Sequence, residues 1–138
     1  MFSRIMVPVD LAHLPSLHKA LQVAGDIAKH YGAAVTYVGV TAATPGKVAH
    51  NPAEFEKKLD AFGAEQGKVH GISADTRTIV SHDPATDVDD ALLKAVGETG
   101  ADMVVMASHV PGLADYVWPS NGGKMAAHSK ASVFVVRE

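Results

Sequence analysis

The sequence predicts a doubly wound α/β fold, a parallel sheet with helices on both faces. Three observations carry this expectation. Val- and Ile-rich runs alternate with helix-period stretches in the order β-α-β-α-β-α-β-α-β, the pattern of a parallel sheet with right-handed crossovers. Most of those runs are almost continuously apolar, as strands covered on both faces are. The chain has 138 residues, the length of a single domain (1–138) with a full core.

The first strand is read in "RIMVPVD". Pro8 lies near its end and brings no N–H, so pairing should stop or distort there. After Pro15, Leu17, Ala20, Leu21, Ala24, Ile27, Ala28 and Tyr31 recur at helical steps. Gly32 follows as a C-cap. The second strand is "AVTYVGVT", and residues 42–53, "AATPGKVAHNPA", form a loop rather than a linker. Phe55, Leu59 and Phe62 mark a second helix, whose end Gly63 and Gly67 weaken. "DTRTIVSH" alternates more than the other runs and reads as an outer strand. Asp83 caps and Pro84 opens a third helix, striped by Val88, Ala91, Leu92 and Ala95 and stopping near Gly100. "DMVVMAS" is the fourth strand, Ser120 to His128 a short helix with Ser120 as N-cap, and "SVFVVR" the last strand.

Composition narrows the function. A formal net charge of -3 without a long Lys/Arg cluster speaks against a nonspecific DNA or anionic-membrane surface. The absence of cysteine removes disulfides and thiolate metal sites. "MFSRIMVPVD" turns polar too soon for a signal peptide, and no run approaches the ~20 apolar residues of a membrane span, so a cytoplasmic location is expected. There is no G-x-x-x-x-G-K-[ST], no G-x-G-x-x-G, no G-x-S-x-G and no H-E-x-x-H. The remaining histidines, His13 among them, read as surface or helix-end residues. Asp87 to Asp90 read as a charged first turn ahead of a metal cluster, and Tyr116 and Trp118 as packing residues ahead of a base-flanking pair.

Ligands on doubly wound sheets bind beyond the carboxyl ends of the strands, where strand order reverses. Two segments should converge there. One is Pro8-Val9-Asp10, the other "ASHVPGLADYVWPSN" after the fourth strand. Asp10 has three readings: a cap for the next helix, a divalent-cation ligand, or a contact to ribose or phosphate through a metal. Ser108 would point into the crevice, and the helix opened by Ser120 and Asn121 would offer free N–H groups to an anion. Gly122 and Gly123 leave room for close backbone approach, or pack the helix against the sheet. His109 fits a loop-structuring or phosphate-contacting role ahead of general-base catalysis.

With "RIMVPVD", "DMVVMASH" and "ASVFVVR" in these places, the chain resembles the universal stress protein family from end to end. It is most similar to the bacterial F and G branch, where Ala-Ser-His ends the fourth strand, a proline follows at the place of Pro111, and Ser-Asn precedes the last helix. The resemblance implies a flavodoxin-like, adenine nucleotide alpha hydrolase-like three-layer sandwich. Its sheet would have five parallel strands in the order 3-2-1-4-5. It also implies a homodimer through the last strand, Val133 to Val136, and an adenine nucleotide ligand, ATP or AMP, with Mg²⁺ where Asp10 serves a Mg-nucleotide. Pro8, Val9 and Asp10 match the segment lining the adenosine and phosphate site. Val40 matches the position whose backbone meets adenine. Ala107, Ser108, His109 and Val110, with Ser120, Asn121 and Gly122, match the loop around ribose and phosphates.

The sequence departs from the family in that loop. ATP-binding members share G-x2-G-x9-G-[ST]. Here Ala107, Val110 and Pro119 stand at the glycine positions, the last spacer is one residue shorter, and only Ser120 survives. One lost charge-assisted hydrogen bond at Pro119 costs about 1.5–3 kcal/mol. Two readings follow: a dimeric nucleotide-binding stress regulator without efficient catalysis, and a nucleotide-free family member acting through protein contacts. Slow ATPase or self-phosphorylation is a third.

Overall fold

The structure, a computed structural model, describes residues 1–108 and 121–137; the side chains of 84–87, 121–122 and 124 are outside the description. Its elements are β1 (Arg4–Pro8), a 3-10 segment (Leu11–Leu17), α1 (His18–Tyr31), β2 (Ala34–Ala42) and α2 (Pro52–His70), followed by β3 (Ala74–Ser81), α3 (Pro84–Thr99), β4 (Met103–Ala107), α4 (Asn121–His128) and β5 (Ser132–Val136). The five strands stand in the order β3-β2-β1-β4-β5, all pairs parallel. This is the flavodoxin-like sheet the sequence implied. β3, the run with the clearest alternation, is an edge, as expected.

Alternation along the strands sorts the core into two layers. Ile5, Val7, Val35 and Tyr37 face the 3-10 segment, α1 and α2, where they share a core with Leu17, Leu21, Phe55 and Leu59. Met6, Val38, Val104 and Met106 face the other way, against Val88, Leu92, Ala95 and Met125. The expected stops hold. Gly32 and Gly100 end α1 and α3 at φ 67° and 69°, a left-handed conformation that glycine adopts without strain. Asp102 stitches the amino end of the sheet, its carboxylate accepting from Ser3 N–H at 2.9 Å and Arg4 N–H at 3.1 Å.

Pro8 acts as its chemistry requires, but on one side only. In a strand, successive N–H groups point to opposite neighbours. Val9 N–H donates to Val38 of β2 at 2.8 Å, so the donor that Pro8 lacks would have faced β4. The β1–β2 register runs through Pro8 and Val38, whereas the β1–β4 register is recorded only at Ile5–Met103 and Met6–Val104. The sheet therefore stops pairing between β1 and β4 at their carboxyl ends, which is also where strand order reverses.

Four expectations need correction. α2 does not weaken at Gly63 and Gly67 but continues to His70, capped by Gly71 at φ 65°. Those glycines are close-approach positions: a Cβ on Gly63 would lie 2.4 Å from Thr76 Cγ2 of β3. Asp83 holds the N-cap position of α3 without the side-chain hydrogen bond to the helix that was expected. The chain after Asp10 is already wound as 3-10 helix before α1 begins at His18. β5 is not covered on both faces. It is the second edge, as the implied strand order requires, and it leaves Phe134 and Val135 exposed.

Tyr37 carries a polar atom into the core. It is fully buried and stands edge-on to Phe62 with ring centroids 5.5 Å apart, yet its hydroxyl has no hydrogen-bond partner among the described residues. Burial pushes its pKa up from 10.0 to about 12. Tyr37→Phe is expected to stabilise the fold by about 1 kcal/mol at neutral pH, because the desolvated hydroxyl disappears. Above pH 10 the unfolded chain loses the phenolic proton while the folded one keeps it up to about 12. Wild-type stability therefore falls through that window by about 2–3 kcal/mol. The variant should lack this component. Urea melts at pH 7 and 11 check both signs, and equal or lower stability of the variant at pH 7 would refute the argument.

Candidate functional site

Asp10 leaves β1 directly after Val9 and binds the next residues through three oxygens. Its Oδ1 accepts from Ala12 N–H at 3.0 Å, its carbonyl from His13 N–H at 3.0 Å, and its Oδ2 from His13 Nδ1–H at 2.8 Å. The Asp10 side chain is 11 % exposed and His13 28 %. Ser16 Oγ donates to the His13 carbonyl at 2.8 Å, closing the turn. Of the three readings of Asp10, the cap is present in the geometry. The pair with His13 was not foreseen. The D-x-x-H spacing at a strand end is its only signal in the sequence, where His13 reads as one of the surface histidines.

A cavity of about 340 Å³ opens above the carboxyl ends of β1 and β2. Val9, Val40 and Phe55 give it apolar walls, Asp10 and His13 line one side, and the 43–51 loop closes it through Gly46, Lys47, Val48 and Ala49. The loop is braced at both ends. Gly46 N–H donates to Ala49 at 2.9 Å. Asn51 caps α2 by accepting from Glu54 N–H at 2.8 Å. Lys58 Nζ, on α2, donates to the Val48 carbonyl. The sequence placed Val9, Asp10 and Val40 in one site, and all three line this cavity. Pro8 lies immediately before them as the last residue of β1. Lys47, Val48, Ala49 and Phe55 were missed, because a loop between strand and helix carries no period. Its Gly46-Lys47 pair was the one available cue.

β4 ends at Ala107, as expected, and Ser108 continues from it with its N–H donated to Val136 of β5 at 2.8 Å. Neither residue lines the cavity over β1 and β2. They lie at the end of the neighbouring strand, across the gap that Pro8 leaves. His109, Val110 and Ser120 fall outside the described residues, while Asn121 and Gly122 open α4. Among the described residues no group of three or more His, Cys, Asp or Glu side chains is placed to hold a metal ion. Both Asp10 carboxylate oxygens accept a hydrogen bond, and the described residues alone do not make up a resident Mg²⁺ site. Among the described residues no helix is long and apolar enough to cross a membrane.

The family profile of the universal stress proteins matches residues 1–137. The chain belongs to the universal stress protein family. Universal stress protein G of Shigella flexneri is 26 % identical to it over 148 aligned positions, covering 99 % of this chain and all of the relative. That relative agrees with the resemblance to the F and G branch. A solved universal stress protein in complex with cAMP superposes with a TM-score of 0.69 at 21 % identity, covering 98 % of this chain and 97 % of the other. A universal stress protein family member from Arabidopsis thaliana with AMP bound gives 0.67 at 13 % identity, covering 99 % and 92 %. These likenesses establish the fold.

Proposed function

We propose that this universal stress protein binds an adenine nucleotide, with adenine and ribose in the cavity over β1 and β2. The observation that carries the reading is the joint lining of that cavity by Val9, Asp10 and Val40. These are the positions at which the family resemblance puts adenosine. An apolar slot with few polar groups suits a base and a sugar. The relatives solved with cAMP and with AMP support the same ligand class. The phosphates would then extend across the gap at Pro8 toward Ser108 and the amino end of α4, where Asn121 and Gly122 begin the helix and unpaired N–H groups favour an anion. Asp10 holds the turn that shapes the cavity and does not ligate a cation. The protein is thus read as a nucleotide sensor without efficient turnover, dimeric through the exposed β5 edge, and located in the cytoplasm.

Calorimetry with AMP and with ATP, each with and without Mg²⁺, tests the reading. AMP should bind with a dissociation constant in the micromolar to low millimolar range, and added Mg²⁺ should not tighten it. No heat and no thermal shift at millimolar AMP and ATP would leave the nucleotide-free reading in its place. Sedimentation of the same sample checks the dimer, and a monomer at micromolar protein would overturn that part.

A further inference from the structure

A second cavity lies beside the first, between the Leu11–Leu17 segment and α2. We propose that it is a separate binding site for a small organic anion with an apolar body, the class of a medium-chain carboxylate. Its volume is about 420 Å³, within the range of small-molecule sites. Leu11, Leu14, Val48 and Phe62 line it and remain half-buried. They pack on the α1–α2 core layer with one side and leave the other open. An apolar occupant would take that remaining surface out of water.

The charge of the lining selects the occupant. Its only polar side chains are Lys47 and Lys58, and no acidic residue lines it among the described residues. Lys58 is already committed, donating to the Val48 carbonyl and lying 3.5 Å from Glu54. Lys47 stands exposed at the mouth with no ion pair among the described residues. An open apolar depression bordered by one uncommitted ammonium is complementary to a carboxylate whose tail lies along it and whose head stays with the lysine.

The two cavities share Leu11, Ala12, Lys47 and Val48 as a wall, yet each has residues of its own. Val9, Val40 and Ala42 belong to the first, Leu14 and Phe62 to the second. The residues proper to each cavity allow the two occupants to be tested apart.

Calorimetric titration of the full chain with sodium decanoate, below its micelle concentration, tests it. Saturable binding near one equivalent is expected. Lys47→Glu should weaken it about tenfold or more, and Lys47→Arg should largely restore it. Lys47 is exposed, so neither change threatens the fold. Ala42→Trp, at a position that lines the first cavity and not the second, should leave decanoate binding in place even where AMP binding is lost. No saturable heat at millimolar decanoate would overturn the site. Affinity unchanged by Lys47→Glu, or decanol binding as tightly as decanoate, would overturn the assignment of an anion.

Discussion

Ala42→Trp is expected to weaken AMP binding about a hundredfold while leaving the melting temperature within a few degrees of wild type. Ala42 ends β2 and lines the first cavity, but belongs to neither buried core cluster. An indole there competes with the base for a chamber of about 340 Å³. Displacing one buried planar group forfeits about 2–3 kcal/mol of apolar burial, which is about two decades of affinity. Calorimetry beside a thermal melt reads both quantities. Undiminished AMP affinity in a folded variant would put the nucleotide elsewhere on the molecule.

Gly63→Val should lower stability by about 3 kcal/mol, or the melting temperature by about 10 °C. Helix propensity alone predicts the opposite sign, since glycine inside a helix costs about 1 kcal/mol. Packing decides the matter. The new Cβ would lie 2.4 Å from Thr76 Cγ2, and Thr76 cannot swing aside freely, because it is β-branched and its hydroxyl is bonded to Asp60. Gly97→Ala is the control. It sits in α3, exposed, with nothing within 4 Å of an added Cβ, so it should gain about 0.5–1 kcal/mol. A loss at Gly97 or a gain at Gly63 would show that propensity and packing had been weighed wrongly.

Gly63 marks the limit of what the sequence discloses. Periodicity and caps are local, and they gave α1, α3 and every strand, with Gly32 and Gly100 as stops. Whether a helical glycine is a weak link or a contact surface depends on a strand that follows later in the chain, so α2 was read as fading where it packs closest. The same division runs through the site. Val9 and Asp10 follow a strand whose end was marked by Pro8, and Val40 lies within a readable strand. The 43–51 loop is tied to α2 in part by Lys58 reaching back to the Val48 carbonyl, a contact that neither composition nor spacing encodes. The Asp10–His13 pair is local, but a carboxylate three residues before a histidine is too common a pattern to single out. The family resemblance supplied the strand order, which periodicity alone left open.

The gap between β1 and β4 has a different character from the other features around it. It is made by an atom that is not there, the amide hydrogen absent from Pro8. A carboxylate and imidazole respond to acid, and a lysine at a rim is screened by salt. A missing hydrogen does neither. The break in pairing is therefore written into the covalent chain and does not depend on pH or salt. Only what is held beside it remains open to tuning.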